Sequence, residues 1–167
     1  MSQDAPAAAE PGPNPATISY IPYNPALENT YVPAMRRLIS QELSEPYSIY
    51  VYRYFLYQWG DLCYLAMDRE RPHTATTDDA KKAEPQQDLE AEKEQQQMIG
   101  VVVSKLEPHR GGPLRGYIAM LAVQEEYRGQ GIATRLVRMT IDKMVERGAD
   151  EVCTSILLLS LFSLSLV

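Results

Sequence analysis

The feature that most constrains the fold is a short apolar strand that runs into a glycine turn and directly on into an amphipathic helix. Tyr117-Ile-Ala-Met-Leu-Ala-Val123 is apolar and contains no breaker, which predicts a buried strand. Gln124-Glu-Glu-Tyr127 and Arg128-Gly-Gln-Gly-Ile-Ala133 follow it. Beyond them Leu136, Val137, Ile141, Met144 and Val145 recur at three- and four-residue steps, which is a helical stripe. Lys143, Arg147 and then Gly148 form a basic last turn before a C-cap glycine. Gly129 and Gly131 let the turn expose consecutive backbone N–H groups, and the helix dipole adds partial positive charge there. Such a turn can hold a phosphate or pyrophosphate.

Two familiar phosphate motifs do not fit. The dinucleotide fingerprint needs a third glycine, and Thr134 stands in its place. Gly111 and Gly116 have P-loop spacing, but Tyr117 occupies the position of the essential lysine. Arg-x-x-Gly-x-Ala, at Arg128, Gly131 and Ala133, resembles the acetyl-CoA pyrophosphate loop of the GNAT acetyltransferases. Six positions alone leave a generic strand–turn–helix as the alternative.

The rest of the chain places this unit. Its 167 residues, 45% hydrophobic and 23% charged, predict one soluble domain with appendages. A net charge of −6 argues against a nucleic-acid partner. Cys63 and Cys153 lie in apolar surroundings and read as reduced residues of a cytoplasmic protein, and His73 and His109 are isolated, so no metal site is expected. Residues 1–16, rich in Pro and Ala, read as a disordered tail without the basic and apolar parts of a secretory signal. Thr17 to Tyr23 reads as an edge strand. A helix is expected from Tyr31, with Pro33 in its first turn and Met35, Leu38, Ile39 and Leu43 inward. A second helix, Ser48 to Trp59, carries Tyr50, Tyr52, Tyr54, Tyr57 and Trp59. It is either a core helix with some tyrosines in water or the wall of an apolar groove. Cys63 to Met67 is the next strand. Residues 68–97 read as an acidic low-complexity insertion with a frayed helix around Asp88 to Gln97. Met98 to Leu106 and Leu114 to Val123 then form an antiparallel pair.

Strand, two helices, three strands, phosphate loop and helix is the opening order of an α/β GNAT fold, a mixed but mostly antiparallel sheet with flanking helices. Three segments sharpen the likeness: Leu43 to Phe55, Arg115 to Val123 and Tyr127 to Ala133 resemble the NatC-type catalytic subunits of that superfamily. The resemblance implies a peptide α-N-acetyltransferase acting on nascent N-termini that begin with Met and a bulky apolar residue. It also implies acetyl-CoA as acetyl donor, auxiliary NatC subunits and the ribosome as partners, and no membrane. By the same resemblance Arg128, Gly129, Gln130, Gly131, Ile132, Ala133 and Thr134 hold the CoA pyrophosphate, with charge from Arg128 or Arg135. Leu121, Ala122 and Val123 offer backbone groups to the thioester and pantetheine, and Glu45 and Tyr47 receive the substrate N-terminus.

The likeness ends near Val152. The family continues with a strand and helix that carry its acid/base Glu and Tyr, whereas 153–167 here is a serine-punctuated apolar tail. The partial domain is therefore expected over 17–152, with the C-terminal half of the fold missing and Val152 to Leu159 able to pair as a substitute strand. Fifteen residues fall short of the roughly twenty a membrane span needs. The remaining phenol on the central strand is Tyr117, the candidate catalytic residue, with a cleft-lining role as its alternative. Two readings stay open: an active enzyme, or an inactive product that only binds CoA or auxiliary subunits.

Overall fold

The computed structural model describes residues 17–43, 47–72 and 96–154. Glu45 and the tail from Ser155 lie outside them. Strand β1 (Ile18–Pro22) is followed by helices α1 (Glu28–Glu42) and α2 (Ile49–Trp59). Strands β2 (Tyr64–Pro72), β3 (Gln96–Pro108) and β4 (Leu114–Val123) come next, then helix α3 (Ile132–Glu146) and strand β5 (Glu151–Thr154). The sheet order is β1-β2-β3-β4-β5, antiparallel except for the parallel pair of β4 with β5.

Helix α1 begins at Glu28 rather than Tyr31, so Pro33 lies inside it and not in the first turn. The reason is local: the Asn24 side chain accepts from the Ala26 N–H at 3.0 Å and Pro25–Leu27 winds a 3-10 turn that feeds the helix. The polar residues Glu28, Asn29 and Thr30 carry no apolar stripe by which the first turn could be read. Val32, Met35, Leu38 and Ile39 are buried, and Leu43 is the half-buried cap.

β3 is covered on both faces, since Met98 through Ser104 are all buried. α3 packs on one face and α1 and α2 on the other. The α3 contact is close at Gly100, where an added Cβ would sit 3.2 Å from both Ile132 and Leu136. Ser104 and Thr140 both donate to the Leu62 carbonyl, at 2.6 and 3.5 Å, so the polar groups of this layer are paired.

Two boundaries differ from the sequence reading. The solvated insertion does not start at Asp68: β2 runs on to Pro72, and Gln96 and Gln97 already belong to β3 rather than to a frayed helix. Asp68 is 2% exposed and pairs through its backbone with Ile18 and Gln97. Its carboxyl oxygens accept from Thr17 at 3.1 Å and from the Tyr127 hydroxyl at 2.7 Å, so the acidic group that looked solvated is buried and bonded. Residues 73–95 lie outside the described part. At the other end β5 takes in Cys153 and Thr154, which pair with Tyr117 and Ile118, so the domain passes 152.

β4 changes character partway along. Val103 pairs with Met120 and Ser104 with Ile118, which leaves Ala119 as an extra, bulged residue. Pairing with β5 covers Arg115 to Ile118. Among the described residues, β4 from Ala119 to Val123 has β3 as its one neighbour.

Candidate active site

The half of β4 without a β5 partner among the described residues, its open half, leads into the glycine turn. A 3-10 turn at Glu125–Tyr127 leads to Gly129 and Gly131, both at φ 77°. An L side chain in that left-handed region costs about 1–2 kcal/mol. Among the described residues no atom lies within 4 Å of where a Cβ would stand at either glycine, so they leave the space above the turn open. Gly131 is the N-cap of α3, and the first helical bond runs from the Arg135 N–H to the Gly131 carbonyl at 3.0 Å. The N–H groups of Ile132, Ala133 and Thr134 precede that bond and are left for an outside acceptor. Ile132 is buried and fastens the turn to the core, whereas Gly129, Gly131 and Thr134 are exposed.

Neither nearby arginine stands idle. Arg128 pairs with Glu42 and also donates from Nε to the Val123 carbonyl at 3.4 Å. Arg135 lies over the Tyr20 ring, 4.4 Å from its centroid. Burial raises the Tyr20 pKa and this arginine lowers it in part.

Leu121 and Ala122 are buried and Val123 is half-buried, so what this strand edge presents is backbone. From Ala119 to Val123 the edge extends about 13 Å, at about 3.3 Å per residue. Tyr117 is half-buried just before the bulge, on a rung with Lys105 of β3 and Cys153 of β5. The Lys105 ammonium lies 5.8 Å from its ring centroid and is paired with Glu107. The structure thus strings Tyr117, the Leu121–Val123 edge and the 128–134 turn along one strand and its exit.

On the α1–α2 side, Tyr47 is half-buried and meets the Tyr52 ring edge-on at 6.4 Å. α2 divides cleanly. Tyr52, Phe55, Leu56 and Trp59 face inward, while Tyr50, Tyr54 and Tyr57 are 76%, 45% and 65% exposed. The Tyr52 hydroxyl is buried without a hydrogen-bond partner among the described residues, and burial raises its pKa. α2 is therefore a core helix with three phenols in solvent and one directed inward beside Tyr47.

Cys63 is unsuited to nucleophilic work. Its Sγ lies 3.4 Å from the Trp59 carbonyl, and burial pushes its pKa up to about 12, so the thiol stays protonated at neutral pH. Among the described residues no group of three His, Cys, Asp or Glu side chains could hold a metal ion, and no helix is long and apolar enough to cross a membrane.

Sequence reasoning missed four residues of this neighbourhood. Asp68 and Tyr127 join the glycine turn to β2, Glu42 holds Arg128, and Gly100 lets the first turn of α3 approach β3. Gly100 alone left a signal, a lone glycine inside an apolar strand, which marks a close backbone approach.

With this geometry in place, comparison with known proteins is direct. The acetyltransferase (GNAT) family profile matches residues 32–156. The chain is 40% identical over 135 residues to N-alpha-acetyltransferase 30 of Schizosaccharomyces pombe, which covers 81% of this chain and 70% of that protein. It is 45% identical over 119 residues to N-alpha-acetyltransferase 30 of Saccharomyces cerevisiae, which covers 71% of this chain and 56% of that protein. Among solved structures, the crystal structure of the NatC complex bound to Gag peptide and CoA matches with a TM-score of 0.66 at 41% identity, over 82% of this chain and 72% of the matched one. The chain belongs to the acetyltransferase (GNAT) family and, within it, to the N-alpha-acetyltransferase 30 lineage.

Proposed function

We propose that the chain is a NatC-type peptide α-N-acetyltransferase, which moves acetyl from acetyl-CoA to N-termini that begin with Met and a bulky apolar residue. The observation that carries this reading is the glycine turn seated at the exit of β4, whose last five residues pair with β3 alone among the described strands. The free N–H groups of the turn suit the pyrophosphate, and the strand edge suits an extended pantetheine arm. The same edge would aim backbone N–H groups at the thioester carbonyl, where negative charge develops during acyl transfer.

The reaction is direct. An α-amine, with a reference pKa near 8, arrives mostly protonated and must lose a proton before its nitrogen attacks the thioester carbonyl. The C–N bond forms, the nitrogen of the tetrahedral intermediate gives up its second proton, the oxyanion collapses, and the C–S bond breaks to give CoA thiolate, which takes a proton. Tyr117 is the phenol placed along β4 to supply one, with water as the other source. Tyr47, half-buried at the head of α2, offers the apolar side that receives the first side chains of the peptide, and Glu45 would meet its amine. Two unpaired cysteines agree with a cytoplasmic site of action beside the ribosome and the auxiliary NatC subunits.

A second reading, CoA binding without transfer, is favoured by one observation. On its rung Tyr117 is flanked by Lys105 and Cys153, with no carboxylate or imidazole in register to shuttle a proton. Labelled acetyl-CoA incubated with peptides beginning Met-Leu and Met-Lys separates the two. Acetylation of Met-Leu, lost in Arg128→Glu, is the expected result. CoA binding with no transfer to either peptide would establish the second reading instead.

A further inference from the structure

A short bridge, Gln124 to Tyr127, carries the chain from β4 to the glycine turn, and it is tied to two other strands. Gln124 fastens it to β3. Its backbone N–H donates to the Ile99 carbonyl at 2.9 Å, and its side-chain amide donates to the Met98 carbonyl at 3.4 Å and accepts from Gln97 Nε2 at 3.1 Å. Tyr127 reaches one strand farther, to Asp68 of β2, where its hydroxyl donates to Oδ2 at 2.7 Å across 59 positions of sequence.

Both members of this last bond lie inside the fold: Tyr127 is 0% exposed and Asp68 2%. Asp68 is itself held. Thr17 donates to its Oδ1 while Tyr127 takes Oδ2, so each carboxyl oxygen has a hydroxyl of its own. Just before it β3 carries an extra residue, Ile99, between the Ala66–Gly100 and Met67–Met98 rungs. A bulge of this kind re-aims the side chains beside it.

Arg128 to Gly131 are all that separates Tyr127 from Ile132, and both of these are buried. The backbone N–H groups that suit a pyrophosphate therefore lie between two anchors. Ile132 is an apolar anchor, and apolar contact has no direction. The Tyr127 anchor does have one, because a displaced bridge would leave a buried hydroxyl and a buried carboxyl oxygen unpaired. A satisfied buried polar pair fixes one arrangement where an apolar pair would admit several.

We infer that Asp68 is a positioning residue for cofactor binding, which through Tyr127 sets where the glycine turn meets the pyrophosphate of CoA. The inference rests on the acetyl-CoA reading above.

Calorimetric titration of CoA into the 167-residue chain and its variants tests it, with thermal unfolding followed on the same samples. Tyr127→Phe removes the hydroxyl alone and is expected to weaken CoA about threefold, in line with one lost hydrogen bond. Asp68→Ala should weaken it by a similar factor, and Asp68→Asn, which keeps an acceptor for the hydroxyl, should restore most of the affinity. The double variant of Asp68→Ala with Tyr127→Phe should lose no more than the larger single loss, since both changes break one bond. Gly116→Ala is the control for lost stability: it disturbs Met144, far along β4, and should leave the CoA affinity of the folded chain unchanged. The inference is overturned, with the CoA site left standing, if Tyr127→Phe binds CoA as tightly as the parent or if the two single losses multiply in the double variant. It is overturned equally if Gly116→Ala weakens CoA in proportion to its lost stability, which would make the pair merely structural. Should Asp68→Ala fail to fold, Tyr127→Phe, read against Gly116→Ala, decides the matter. A parent chain that binds no CoA overturns both this inference and the acetyl-CoA reading.

Discussion

The two halves of β4 are built for different tasks. From Leu114 to Ile118 the strand is held on both sides, and side chains do the holding. Arg115 pairs with Glu151, the Leu114 N–H donates to the Asp150 carboxylate at 2.7 Å, and the Asp150 N–H donates back to the Leu114 carbonyl at 2.8 Å. Gly116 lies under Met144 so closely that an added Cβ would stand 2.4 Å from its Sδ. From Ala119 to Val123 the strand bulges, keeps β3 as its one described strand partner, and leads to a turn at whose two glycines an added Cβ would meet no described atom. Stability is concentrated where side chains interlock, and the site lies where backbone is left over. The same apolar alphabet serves both halves, and only their neighbours differ.

Substitutions that exchange these properties test the contrast. The largest expected effect belongs to the locked half. Gly116→Ala forces the fully buried Met144 to repack and costs about 1–3 kcal/mol of stability. Denaturant unfolding should show that loss, while the KM for acetyl-CoA stays unchanged in whatever fraction folds. Gly131→Ala, in the open half, carries a strain of about 1–2 kcal/mol at φ 77° but meets no atom. Here the turn's N–H groups are re-aimed, so acetyl-CoA affinity should fall by about tenfold, as 1.4 kcal/mol implies, with a smaller change in melting temperature. If Gly116→Ala weakened CoA binding more than Gly131→Ala, the division of the strand would be wrong.

Tyr127→Phe probes the seam between stability and site. It removes the hydroxyl that donates to the buried Asp68, which keeps its bond from Thr17, so the cost should be about 1 kcal/mol. Unfolding midpoints and CoA titration should both move modestly. The smallest effect concerns Cys63. Its pKa is raised in the folded chain to about 12 from an ordinary 9.0, so folding favours the protonated thiol. That contribution is complete below pH 9 and is lost as pH rises from 9 toward 12. At neutral pH native alkylation should therefore label Cys153 and spare Cys63.

The strand–turn–helix at 117–146 was legible in the sequence because three signals coincide there: an unbroken apolar run, glycines where φ must be positive, and a helical stripe. The antiparallel pairing of β3 and β4 followed from the short connection between them. Asp68 was not legible. A carboxylate at the head of an acidic run looks solvated until tertiary structure brings Tyr127 to it from 59 positions away. The start of α1 was hidden because its first turn is polar and its N-cap, Leu27, makes no side-chain cap bond, the Asn24 cap belonging to the 3-10 turn before it. Glu42 could not be read as anything but a helix-end acid, since its partner is set by the packing of α1 beside the exit of β4 and not by spacing. The site is half backbone, which sequence patterns report well, and half long-range pairing, which they do not.

The central claim is that acetyl-CoA lies on the open half of β4 and the turn that follows it. Backbone amide chemical-shift mapping of the 15N-labelled chain with acetyl-CoA tests this most directly. The account predicts large shifts at Leu121, Ala122, Val123 and Gly129 to Thr134, and near silence at Arg115 and Gly116. Shifts centred on the locked half, or none at saturating acetyl-CoA, would contradict it.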